Sequence, residues 1–194
     1  MKKSKKLISL VVAAVMALGI VLAPMAAVAK NAPTVGKKNI GVFRITSPKA
    51  KTIRLVGTTD ALGKKANNKG KKAKSITIVA KYQLDKTFYP SARKGTYTVT
   101  RICQNAFNKT AATKVILPAT VKKIDAGAFK GAKAKTIAIR AKLSPAKATN
   151  MLKGTKASGK ITIKVPKAKV TAWEKAAKAG KLGIKGSRIV IKKI

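Results

Sequence analysis

Side chains able to do chemistry are scarce in this sequence. Its 194 residues include four acids (Asp60, Asp85, Asp125 and Glu174), one cysteine (Cys103) and no histidine. General acid–base catalysis draws on imidazoles and paired carboxylates, and zinc and calcium sites draw on His, Cys and carboxylate sets. Those types are absent or too few, so the sequence predicts no catalytic residue, no cofactor, no metal site and no enzyme. Two Ser-x-x-Lys strings, Ser91–Lys94 and Ser144–Lys147, have the spacing of some acyl-transfer enzymes. In so lysine-rich a chain such strings arise by chance, and their companion motifs are missing. Cys103 is odd by count and forms no intrachain disulfide; with no histidine to activate it, it reads as a small, partly buried side chain.

Positive charge is what the chain has in abundance. There are 45 Lys and Arg residues against the four acids, a net charge of +41. No GxxxxGK[ST] or GxGxxG phosphate loop accompanies it, so strings such as Gly63–Lys65 and Gly70–Lys72 read as solvated basic turns. Hydrophobic residues at 46% argue against a wholly disordered polycation and for a packed core of Val, Ile and Leu with a few Phe.

The elements that must carry this charge begin after residue 29. A basic start (MKKSKK), an uncharged run from Leu7 to Ala29, Pro24 and the A-x-A site Ala27-Val28-Ala29 read as a cleavable secretory signal peptide, residues 1–29. Cleavage removes Lys2, Lys3, Lys5 and Lys6 and takes the charge from +41 to +37 on 165 residues. A flexible leader, 30–38, follows. An N-terminal β region, 39–96, holds the apolar–polar–apolar segments Phe43-Arg44-Ile45, Ile53-Arg54-Leu55 and Ile76-Thr77-Ile78, with a Lys-rich loop between the last two.

From Val99 the chain repeats. Val99–Leu117 lies over Val121–Ile139 without a gap at an offset of 22; Val99/Val121, Ile102/Ile124, Ala106/Ala128 and Phe107/Phe129 are identical. Matches fall on apolar positions, because a unit this short cannot bury a core alone and must share one with its neighbour. Ile102, Phe107, Ile124 and Phe129 are the expected repeat core, with the two Phe rings one above the other.

These two units, with Val115-Ile116-Leu117-Pro118, resemble the bacterial surface antigen type of leucine-rich repeat, the BspA-like group, over about 97–142. The resemblance implies a β-rich leucine-rich-repeat solenoid, a short strand plus a turn or short helix per repeat of about 22 residues. It would have an N-terminal strand region, repeats over 97–165 with a degenerate third unit, and a C-terminal helix–strand cap over 166–194. Val170, Trp173, Ala176 and Ala177 fall on one face of a helix over 169–179 that Gly180 ends, and Trp173 would plug the last unit.

The resemblance also implies a role of the adhesion or interaction kind. The expected function is an exported, non-catalytic surface or secreted protein binding extracellular proteins or anionic polymers, such as wall polymers and acidic glycans, through a basic repeat surface. Peripheral electrostatic contact with a membrane or wall fits the same charge. Outward strand residues Ile116, Ala138, Arg140, Thr162 and Lys164 would form the exposed sheet face, with Lys114, Arg140 and Lys164 as candidate partner-binding residues. Few aromatics and no nucleic-acid fold signature predict no specific nucleic-acid partner. The alternative is a polycationic secreted effector that binds anionic membranes or nucleic acid nonspecifically.

Overall fold

A computed structural model describes residues 41–58, 75–83, 95–108 and 110–194. The expected signal peptide (1–29) and leader (30–38), residues 59–74 of the Lys-rich loop and the Ser91–Lys94 string lie outside the described residues. Ten strands are described: β1 (Gly41–Ser47), β2 (Thr52–Thr58), β3 (Ser75–Thr77), β4 (Lys81–Gln83) and β5 (Thr96–Ile102), then β6 (Lys114–Leu117), β7 (Lys123–Ile124), β8 (Thr136–Ile139), β9 (Ile161–Val165) and β10 (Ile189–Lys193). One α-helix, α1 (Val170–Lys178), lies between β9 and β10.

The strands divide into two sheets. In the mixed sheet the order is β1-β2-β5-β4, with β7 also beside β5; β1–β2 and β4–β5 are antiparallel, β2–β5 and β5–β7 parallel. The second sheet, in the order β10-β9-β8-β6-β3, is parallel throughout. Alternation of side chains along each strand sends one set inward. Phe43, Ile53, Leu55, Tyr97, Val99 and Ile102 from the mixed sheet join Ile76, Val115, Leu117, Ile137, Ile163 and Val165 from the parallel sheet in one core.

Between the sheets the chain turns sharply, and the turns stack. Asn105 N–H donates to the Gly127 carbonyl at 3.1 Å, Gly127 N–H to Asn150 at 2.8 Å, Phe107 N–H to Ala128 at 3.0 Å and Phe129 N–H to Met151 at 3.1 Å. Asn105, Gly127 and Asn150 each take a left-handed backbone, φ 60°, 65° and 56°. Gly and Asn tolerate that region best, which fits their recurrence at one corner. Phe107 and Phe129 stack with centroids 4.8 Å apart and planes 14° apart, and both are fully buried, as is Ile102; Ile124 is nearly so. In the unit at 143–165, Met151 and Leu152 are buried where the earlier turns carry Ala-Phe.

The expected leucine-rich-repeat solenoid is not the architecture found; among the described residues, mixed and parallel sheets of ten short strands with one α-helix replace it. The physical reason lies in strand direction and spacing. Stacking one unit on the next generates parallel neighbours only, whereas β1 and β4 enter the mixed sheet antiparallel to β2 and β5. The offset of 22 holds for Ile102 opposite Ile124 and Lys114 opposite Thr136, but not for Ser75 opposite Lys114, Thr136 opposite Thr162 or Ile161 opposite Ile189. Two similar units are too few to impose one period on the remaining strands.

The C-terminal segment is built around one tryptophan. Trp173 on α1 is fully buried, and its Nε1–H donates to the Leu143 carbonyl at 3.1 Å, satisfying the indole's one polar group. Ala176 and Ala177 share that buried face, and Gly180, at φ 68°, follows the helix end.

Candidate binding surfaces

The outer side of the parallel sheet is laid out by its register. One row across the strands reads Ser75–Lys114–Thr136–Thr162–Val190, and the next Thr77–Ile116–Ala138–Lys164–Lys192. Between them the row Ile76–Val115–Ile137–Ile163–Ile191 points into the molecule. Lys114, Lys164 and Lys192 are exposed; Ile116 is half-buried and Ala138 is 8% exposed. Arg140 stands two residues beyond Ala138, exposed, its N–H donating to the Leu117 carbonyl at 3.2 Å.

The three residues singled out from the sequence therefore share one side without forming a cluster. Strand separation and residue rise place Lys114, Arg140 and Lys164 on the order of 8–14 Å apart at the backbone. That is too wide for one small anion to bridge, and it matches charges repeated along a polymer. Lys192, adjacent to Lys164 in register, extends the row and was hidden from the sequence because its strand arrives from a later segment.

The outer side of the mixed sheet carries a denser arrangement that sequence reading missed. Arg44 lies opposite Arg54, Arg54 opposite Arg101, and Arg101 opposite Lys123, four cations in one row over β1, β2, β5 and β7. Strict alternation from Val99, which points inward, would send Arg101 inward too. A one-residue register shift between the Ile53–Val99 and Arg54–Arg101 pairs turns it outward, the usual effect of a bulge. Like charges directly opposite on neighbouring strands destabilise a sheet by roughly 0.2–1 kcal/mol.

Among the described residues one acid answers this row. Asp125, on the loop after β7, takes both Arg101 Nε contacts at 2.9 Å and a further 2.9 Å contact to Nη2, and lies 4.0 Å from Lys123 Nζ. That pairing pushes the Arg101 guanidinium further up. The Nε–H groups of Arg44 and Arg54 are buried and find no hydrogen-bond partner among the described residues. A buried donor left unpaired costs about 1–3 kcal/mol. The signal available in the sequence was the central Arg of two apolar–Arg–apolar segments; their adjacency needed the strand pairing.

The remaining reactive groups are quiet. Cys103 N–H donates to the Leu55 carbonyl at 2.8 Å; burial pushes its thiol up against the pull of Arg54, so it stays protonated at neutral pH. Tyr82 packs on Phe43 with centroids 4.3 Å apart, its oxygen accepts the Val79 N–H at 3.2 Å, and burial pushes it up to about 12. Ser144 and Lys147 meet where the Lys147 N–H donates to the Ser144 carbonyl at 3.0 Å. A shallow groove of about 470 Å³ runs beside Asp125, lined by Gln104, Lys123, Ala146, Lys147 and Asn150 among others. Comparison of the chain with protein-family models, curated proteins and solved structures found no match.

Proposed function

We propose that this protein is an exported, non-catalytic binding protein that holds anionic macromolecules, acidic glycans or wall polymers, against the outer side of its parallel sheet. The observation that carries the reading is that Lys114, Lys164 and Lys192 stand exposed in register on one side of that sheet, with Arg140 exposed just beyond the end of β8. Secretion is supported by the signal-like segment 1–29, and a binding role by the likeness of residues 97–142 to bacterial surface antigen repeats. The lack of histidine and the scarcity of acids support the absence of catalysis.

Long-range attraction from a net charge of this size recruits any polyanion, over a Debye length of roughly 8–10 Å at physiological salt. The spaced face then selects by matching repeat distance. Immobilised acidic polysaccharide, teichoic-type polymer and DNA would be eluted from the protein with rising salt, beside the triple variant Lys114→Glu, Arg140→Glu, Lys164→Glu. The expected result is one polymer class retained after the others elute, and loss of that retention by tenfold or more in the triple variant. Simultaneous release of every polyanion would favour a nonspecific polycationic effector, and an unchanged triple variant would remove the parallel sheet as the site.

A further inference from the structure

The arginine row of the mixed sheet is a separate feature, built from other residues on the other sheet. Three arginines stand side by side on adjacent strands, and the one acid in contact with the row among the described residues, Asp125, lies at its far end with Arg101 and Lys123. We propose that Arg44 and Arg54 form a binding site for a tetrahedral oxyanion, a phosphate or sulfate group, gripped jointly by the two guanidinium forks.

The Arg101–Asp125 pair shows how the row handles an anion. Both carboxylate oxygens are taken side-on, through Nε and Nη2 of a single arginine. A carboxylate thus satisfies one fork. Two neighbouring arginines, their Nε–H groups buried and without a hydrogen-bond partner among the described residues, call for more acceptor oxygens and more negative charge than one carboxylate holds. An esterified phosphate or sulfate presents three oxygens to one side, and arginine's planar fork matches that geometry bidentately. Thr52 and Thr98 lie opposite each other in register, Thr52 two residues before Arg54 on the same strand. The register shift that turns Arg101 outward completes the site indirectly. It brings Asp125's partner into the row, so that Asp125 occupies one end and the Arg44–Arg54 end has no acid in contact among the described residues.

The test follows the Nε–H resonances of the intact, 15N-labelled chain at constant ionic strength. Inorganic phosphate and sulfate should shift the Arg44 and Arg54 signals saturably, with chloride and acetate as controls and little change at Arg101. Arg54→Lys and Arg44→Lys keep charge and stem but lose the fork; each should weaken phosphate binding at least tenfold. The Lys114→Glu, Arg140→Glu, Lys164→Glu variant should leave it within twofold, which separates this site from the parallel-sheet reading. A dextran sulfate arm and a glycerol-phosphate polymer arm identify the source: a response to either supports the site and names the group. No saturable shift with phosphate or sulfate, an equal shift with acetate, or native-like binding by both lysine variants would overturn it.

Discussion

On the outer side of the parallel sheet, cations are interleaved with threonine, alanine and isoleucine, and the adjacent pair Lys164–Lys192 is exposed at the chain's last strands. On the mixed sheet, three half-buried arginines follow one another with nothing between. The charge has the same sign and its environment differs. Exposed, spaced lysines are screened and cost the fold little. Crowded guanidinium groups whose Nε–H donors are buried and without a partner among the described residues carry an uncompensated cost. A basic surface is therefore informative where it is expensive, and the mixed sheet is the expensive one.

Both faces rest on one shared core, and the largest effect is expected there. Phe129→Ala removes a fully buried ring stacked on Phe107 and should cost about 3–5 kcal/mol in urea unfolding, in a single transition reported alike by probes on either sheet. Two separate transitions would mean that the sheets are independent and their surfaces cannot be compared as parts of one body.

Next in size is an effect confined to the mixed sheet. Tyr82 is held neutral in the fold up to about 12, against an ordinary value near 10 in the unfolded chain. Its contribution, on the order of 2–3 kcal/mol, is thus fully present below about pH 10 and lost as the pH rises towards about 12. Absorbance at 295 nm should show a late tyrosine step near pH 12 that Tyr82→Phe abolishes. A titration complete by pH 11 would contradict it.

The smallest effects contrast the faces directly. Asp125→Asn leaves the arginine row without its acid and should destabilise the protein by about 1 kcal/mol at low salt, with part of the loss recovered as salt rises. Lys164→Gln should change stability by less than about 0.5 kcal/mol at any salt. Equal responses in urea melts would erase the distinction drawn between the two surfaces.

Much of the local structure was legible from residue patterns. Apolar–polar–apolar triplets located β1, β2 and β3, and the periodicity of Val170, Trp173, Ala176 and Ala177 located α1 to within a residue at each end. The alignment of Phe107 with Phe129 carried a physical contact, because a 22-residue offset at apolar positions reflects a shared core. What misled was extending that period to the whole chain. The antiparallel entry of β1 and β4 and the unequal intervals between paired strands leave no mark in composition or spacing.

Charge, the shortage of acids and histidine, and the inward set of apolar side chains were settled by residue type and period, since both act locally. The arginine row was decided elsewhere. Arg44, Arg54 and Arg101 come from distant segments, and only hydrogen-bonded register, with one shifted residue at β5, sets three like charges side by side. Strand partners are chosen by the packing of the whole core, so the neighbours of an outward side chain belong to the tertiary structure and not to the chain that bears it.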